Sequence, residues 1–264
     1  MAATDPVLNR WRADGGCVVS KGSRDRAVKA RQIVERQRAQ EKRRKVTLWT
    51  SVAVVAVLVI AGFIGYSQLS GTDDGKLVTP SVAVDEGTAF AVGSGPVTVD
   101  LYEDFMCPNC KNFEGSSGAT LRQMATANKI TLRYHVVSIL DRSSNGTRYS
   151  TRAAGAGAAA AEDGRFPEFH DVLYANQPQE GSDGLSNAKL IELGKSVGLT
   201  SDKFANAVNA GTYEAWATQN TETFSKRGFN GTPTVVVNGT QLKGPNDTVP
   251  QLDQITQAVT KAAG

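Results

Sequence analysis

Residues 46–66 carry no charged side chain and no polar face. As a helix this stretch would be about 31 Å long, matching the hydrocarbon core of a bilayer. It predicts one transmembrane helix. Trp49 and Tyr66 stand near its two ends, where amphipathic rings favour the membrane interface. A buried core helix is the alternative, but one of this length would keep a polar side. The stretch is also too long for the apolar region of a cleaved signal peptide. Gly65-Tyr66-Ser67-Gln68 is a poor cleavage site.

Beyond residue 85 the pattern changes. Val97-Thr98-Val99-Asp100-Leu101-Tyr102 is rich in β-branched and aromatic residues and predicts a strand. A helix follows Cys107-Pro108, and Ile130 to Val137 predicts a second strand. Residues 147–162 are alanine-rich and helical. Helices are expected over Phe166–Ala175, Ser186–Val197, Thr200–Ala210 and Tyr213–Arg227. Thr234–Val237 reads as a strand, Asn238-Gly239 as a hairpin turn and Gln241-Leu242 as the return strand. Val249 to Ala263 closes as a helix. The opening β-α-β implies a crossover and parallel pairing, so the fold class is α/β.

Charge divides the chain along the same lines. Residues 1–45 hold 13 Lys and Arg against 5 Asp and Glu, a net charge of +8. Residues 67–264 hold 16 against 21, a net charge of −5. Glu41-Lys42-Arg43-Arg44-Lys45 abuts the apolar span, and Asp73 and Asp74 lie beyond it. The positive-inside rule then puts the arm 1–45 in the cytoplasm and residues 67–264 outside. Nucleic-acid binding is one use for a basic helix. A topology signal resting on anionic lipid is the simpler one, and no nucleic-acid partner is expected. Residues 67–85, with Gly71, Asp73, Asp74, Gly75 and Pro80, read as a tether. The folded domain is expected over residues 86–264.

The candidate chemistry lies in the cysteines. Three are too few for a disulfide framework or a four-thiolate metal site. Cys17 falls in the basic arm and reads as incidental. Cys107-Pro108-Asn109-Cys110 sits where a strand meets a helix. Pro108 suits the first helical turn and pushes the residue before it out of helical angles. Cys107 therefore stands beside the free N–H groups of the turn, with Cys110 in bridging reach. The positive helix end stabilises a thiolate and lowers its pKa. Three other readings use the same spacing. A structural disulfide would close a very small loop. A metal site would need two more ligands, and His135 and His170 lack the spacing. Chance spacing is the third. No metal and no cofactor are expected.

The run Val97 to Cys110 resembles the active-site region of DsbA-like thioredoxin-fold proteins. Gly164-Arg165-Phe166-Pro167-Glu168-Phe169-His170, Gln177-Pro178 and Gly228 to Gly239 are similar to them as well. The membrane-anchored form with a basic arm resembles the actinobacterial type. The resemblance covers about residues 85–264. It implies a thioredoxin fold with a helical insertion at about residues 141–210, preceded by the transmembrane helix. It implies that Cys107 is the nucleophile, Cys110 the buried resolving thiol, and Pro108 and Asn109 the dipeptide that tunes potential. Pro233 matches a proline joined to Thr232 by a cis bond and facing the dithiol, in a loop that binds substrate. One departure stands out. Relatives often place a buried acid about six residues before the nucleophile; here that position is Leu101, and Glu103 and Asp104 are the nearest acids.

The expected function is an extracytoplasmic thiol:disulfide oxidoreductase, held in the cell membrane by a single pass. It would oxidise exported cysteine-containing proteins. A quinone-linked membrane oxidase, VKOR- or DsbB-like in the families it resembles, would restore its disulfide. A potential well above thioredoxin's ~−270 mV is expected, toward ~−120 mV. A monomer is expected. Two alternatives stay open: a reductase, for instance in cytochrome maturation, and a redox-inert domain that binds clients.

Overall fold

The computed structural model describes residues 76–264. The basic arm, the apolar span, Cys17 and the tether up to residue 75 lie outside the described residues. Among the described residues no helix is long and apolar enough to cross a membrane.

The central strand is β2 (Val97–Glu103), and six of its seven residues are buried. Its alternation of Val, Leu and Tyr with Thr and Asp lets both faces be covered. It lies third in a five-stranded sheet, between β3 (Ile130–Val136) and β4 (Thr234–Val237). β2 runs parallel to β3, from Val97 against Ile130 to Glu103 against Val136. It runs antiparallel to β4, with Leu101 against Val235. β4 turns at Asn238 and Gly239 into the edge strand β5 (Thr240–Leu242). Both turn residues have positive φ, which this tight hairpin requires and which Asn and Gly tolerate. The other edge is β1 (Phe90–Val92), antiparallel to β3.

The parallel β2–β3 crossover passes through α1 (Pro108–Phe113), a π-helical turn (Glu114–Gly118) and α2 (Ala119–Thr126). The π turn folds the Glu114 carboxylate back over Gly118, where any side chain would collide with it. The insertion occupies residues 141–210. It holds a 3-10 turn (Asp141–Ser143), α3 (Tyr149–Glu162), α4 (Phe166–Ala175), α5 (Asn187–Ser196) and α6 (Asp202–Ala210). α7 (Glu214–Lys226) returns the chain to the sheet, and α8 (Leu252–Ala263) ends it. α3 is buried almost all round, and its alanines and glycines let α4, α6 and α7 pack close to it.

The faces of β2 differ. Asp100 and Tyr102 point to one side, where Tyr102 stacks on His135 at 4.2 Å and packs against Phe224 of α7. Leu101 and Glu103 point to the other, toward Tyr134 and the insertion. Ile255 and Val259 of α8 join the core on that second side.

The folded contacts begin within the tether expected over residues 67–85. Pro80 is buried, and Asp85 pairs with Arg133 at 3.0 Å and Arg227 at 2.9 Å. Two cations facing one carboxylate hold this end of the stretch on the domain. Helix ends follow local chemistry. Ser186 and Ser201 cap α5 and α6 by accepting from Lys189 and Phe204 backbone N–H groups. α8 starts at Leu252 rather than at Val249, since Pro250 disfavours helical angles before it and Gln251 forms a capping box with Gln254.

Candidate active site

Cys107 is the N-cap of α1, with extended backbone angles (φ −75°, ψ 117°), and Pro108 opens the helix. Its backbone N–H donates to Asp104 O at 2.9 Å, closing the turn from β2. Two further groups hold that turn. The Asp104 carboxylate is fully buried and accepts from Met106 N at 2.8 Å, Leu140 N at 2.9 Å and Ser150 Oγ at 2.7 Å. Gln177, just beyond α4, donates from Nε2 to Phe105 O at 3.1 Å and Cys107 O at 2.9 Å.

Cys107 and Cys110 are both free thiols, and both are buried. Cys107 keeps 6% of its surface exposed and Cys110 none, so only the first sulfur is open to a partner. The Cys107 thiol donates to Thr232 O at 3.3 Å. The Thr232–Pro233 bond is cis. The loop before β4 thus meets the helix end from across the sheet. Thr232 Oγ1 is buried and has no partner in the dithiol form. Beside this loop a cleft of about 390 Å³ opens between Phe229, Thr232 and Pro233 and the β5 segment at Gln241 and Lys243.

The electrostatics separate the two thiols. The Cys107 pKa falls to about 6. The hydrogen bond from Cys110 contributes most; burial opposes it, and Thr232 and the N–H groups of Cys110 and Asn109 add to it. Cys110 is pushed well above the ordinary thiol range, first by burial and then by Cys107 and the Glu103 charge. Burial raises Asp104 to about 7 against its three hydrogen bonds.

The structure brings Cys107, Pro108, Asn109, Cys110, Thr232 and Pro233 together at one end of the sheet. Pro108 and Asn109 belong to the first turn of α1, whose N–H groups face Cys107. Sequence reasoning assigned no part to Gln177 or to a pair formed by Glu103 and His170. His170 Nε2 donates to Glu103 Oε2 at 2.9 Å, with both side chains buried. The available signal was an acid at the inward end of an apolar strand, a costly place for an unpaired carboxylate.

Two clusters among the described residues have metal-ligand chemistry: Asp85, Asp100 and His135, and Glu103, Glu114 and His170. Beside each stands an arginine that already supplies countercharge. Arg133 binds Asp100 and Asp85, and Arg122 binds Glu114 at 2.9 Å. What the site can do chemically is thiol–disulfide exchange: an accessible stabilised thiolate faces a buried thiol held protonated.

Comparisons with known proteins point the same way. A family model described as Thioredoxin matches residues 78–258. The reduced and oxidised structures of DsbA from Mycobacterium tuberculosis are 29% and 30% identical, each with TM-score 0.53, covering 66% of this chain and 99% of theirs. A disulfide bond oxidoreductase, DsbG, from the same organism is 29% identical, with TM-score 0.54, covering 68% of this chain and 96% of its own. Among curated proteins, the serine/threonine-protein kinase PknE of Mycobacterium tuberculosis is 28% identical over 177 residues, 64% of this chain and 29% of the kinase. The chain therefore spans less than a third of that relative's length.

Proposed function

The chain belongs to the thioredoxin family, among the DsbA-like thiol–disulfide oxidoreductases, and on that footing we propose that it is an extracytoplasmic protein disulfide oxidase. One observation carries the reading: Cys107, alone of the pair, is open to a partner, and its thiolate is stabilised where Cys110 is held protonated. A substrate thiolate attacks Cys107 Sγ of the Cys107–Cys110 disulfide. Cys110 leaves as the thiol, and a mixed disulfide forms. A second substrate thiolate then attacks the substrate sulfur, releases the client's disulfide and leaves Cys107 as thiolate. Thr232 and Pro233 would flank the incoming segment, and the cleft toward β5 would take its continuation. Pro108 and Asn109 would tune the thiolate.

The pKa sharpens the expected potential. A thiol at about 6 lies between thioredoxin's ~7 and DsbA's ~3.5, nearer thioredoxin. A lowered thiol favours the reduced enzyme and so a potential above thioredoxin's ~−270 mV. A pKa nearer thioredoxin's than DsbA's is the observation that favours the reductase as a second reading. The uncharged span at 46–66 and the +8 arm support a single-pass membrane anchor with this domain outside. There no glutathione pool reduces thiols, which favours the oxidase. Exported cysteine-bearing proteins are then the clients, and a quinone-linked membrane oxidase the recycling partner.

The test is to mix the oxidised full chain with a reduced, unfolded exported protein. Disulfides should appear in the client in step with loss of the Cys107–Cys110 bond, and Cys110→Ser should accumulate mixed disulfides through Cys107. No transfer to the client, with ready acceptance of electrons from a membrane donor, would move the reading to the reductase.

A further inference from the structure

Three Asn-Gly pairs occur in the domain: Asn145-Gly146, Asn230-Gly231 and Asn238-Gly239. The asparagine of each is exposed. The fold accounts for two of the pairs. Asn145 and Asn238 have positive φ, as do Gly146 (82°) and Gly239 (81°), a backbone that Asn and Gly adopt at little cost. Their amides are also held. Asn145 Nδ2 donates to Gly181 O at 3.1 Å and to Asp183 Oδ1 at 2.9 Å, and Asn238 Oδ1 accepts from Thr98 N at 2.8 Å.

The third pair has neither reason. Asn230 and Gly231 are not in the positive-φ region. A side chain at Gly231 would meet nothing within 4 Å. Among the described residues the Asn230 amide has no hydrogen-bond partner, and the Gly231 N–H donates to none; the loop is held by Thr234 Oγ1 donating to Gly231 O at 2.7 Å. A free amide therefore stands next to a free backbone nitrogen that no Cβ shields. Asn230 also lines the cleft beside Thr232, whose carbonyl accepts from the Cys107 thiol at 3.3 Å.

We propose that Asn230 deamidates spontaneously, and that the carboxylate left in the loop of Thr232 slows thiol exchange at Cys107. The second half rests on reading Cys107 as the attacked sulfur; the first half does not. Gly231 N gives up its proton and attacks Asn230 Cγ. The Cγ–Nδ2 bond breaks, and the amide nitrogen takes a proton and leaves as ammonia. One water then opens the five-membered imide. Attack at Cγ gives aspartate. Attack at the backbone carbonyl gives isoaspartate, whose main chain runs through the side chain and is one methylene longer. One amide and one water become one carboxylate and one ammonium, with no oxidant or reductant. In Asn145 and Asn238 the side-chain hydrogen bonds must break before Cγ can meet the next nitrogen. In the loop of Thr232 the new charge repels an incoming thiolate, and the longer backbone moves Thr232 itself.

The experiment incubates the full chain in mildly alkaline buffer and follows each asparagine by mass spectrometric peptide sequencing, where the change adds one mass unit. Cleavage after Arg227 and Lys243 leaves Asn230 and Asn238 on one peptide, so they are compared directly. Asn230 should react about tenfold faster than Asn145 and Asn238, the worth of one hydrogen bond. Gly231→Val, which the open space at Gly231 accommodates, should slow Asn230 by a similar factor and leave the other two unchanged. Asn230→Asp should slow reduction of the oxidised chain by dithiothreitol severalfold at low salt, with the gap narrowing as salt rises. Equal rates at all three asparagines would overturn the proposal, whether or not Gly231→Val folds. An Asn230→Asp chain reduced at the unaltered rate would overturn the effect on exchange. Mass reads the first half and dithiothreitol replaces the client in the second, so a failed oxidase reading leaves both results standing.

Discussion

β2 carries two buried acid–histidine pairs, three residues apart and therefore on opposite faces. Asp100 meets His135 at 3.0 Å; Glu103 meets His170 at 2.9 Å. Their surroundings make them different objects. Asp100 is bound through its second oxygen by Arg133 at 2.9 Å, so both its oxygens are used. Burial alone would raise its pKa, but His135 and Arg133 outweigh that and hold it below the ordinary value. His135 is lowered, chiefly by burial. Glu103 has no arginine on it, a second carboxylate nearby and one unused oxygen. The first pair is a fixed charge that pins β3 and the domain's entry segment to β2. The second leaves a raised carboxyl with an unpartnered oxygen in the interior. Burial and residue type are shared; the guanidinium on Asp100 and the spare lone pair on Glu103 make the difference.

The largest expected effect breaks the comparison in the chemistry. Cys107→Ser should abolish disulfide exchange in an insulin-reduction assay, while leaving both acid–histidine pairs in place. Residual exchange through Cys110 alone would mean that the buried thiol is reachable. Next in size is the pinned pair. Asp100→Ala leaves Arg133 and His135 facing each other in the interior, a loss of about 3–5 kcal/mol for a broken buried pair. Denaturant unfolding measures it. The folded fraction should still exchange disulfides at close to the unaltered rate. Glu103→Gln should cost far less in the same unfolding measurement, under about 1 kcal/mol, since a raised carboxyl gives up little charge when made an amide.

The pH dependence of stability sharpens the contrast with a sign. Asp100 is depressed, so its contribution is present above its unfolded pKa near 3.8 and fades as pH falls further. His170 is raised, so its contribution is full below about 6.5 and is lost as pH rises through about 9. Glu103, raised to about 8, binds its proton more tightly when folded and costs stability as pH climbs from 4.5 to 8. Cys107, lowered to about 6, works the other way between 6 and 9, but only in the dithiol form. The disulfide form should therefore lose stability from pH 6 to 9 more steeply than the dithiol form. Paired unfolding curves check this, and parallel curves would contradict it.

The smallest effect concerns Thr232. Its buried hydroxyl, unpartnered in the dithiol form, can turn to the Cys107 thiolate, and Thr232 is among the groups that lower the Cys107 pKa. Thr232→Val should raise the Cys107 pKa by about one unit, the worth of one hydrogen bond to a charge. Thiolate absorbance against pH reads it.

Much of this was legible in the residue pattern. β2, β3, the β4–β5 hairpin and the long helices follow from β-branched runs, Asn238-Gly239 and the apolar periodicity, with ends shifted by caps such as Ser186 and Gln251. The dithiol and its N-cap geometry follow from Pro108. β1 was not legible. Three residues between Gly87 and Gly93 give no alternation, and the strand is held from outside by Trp216 Nε1 donating to Gly87 O and Asn220 to Thr88 O. Nor was the partnership of Glu103 and His170, which lie far apart in the chain. Only the fold of α4 onto the end of β2 joins them. Likewise Gln177 shows nothing in sequence of the two carbonyls it holds.

One measurement tests the central claim most directly: equilibration of the full chain with glutathione buffers of known potential, followed by the state of Cys107 and Cys110. The account predicts a two-electron couple above thioredoxin's ~−270 mV that disappears in Cys107→Ser. A pair that stays reduced throughout the oxidising buffers, or one with a potential at or below ~−270 mV, would contradict it.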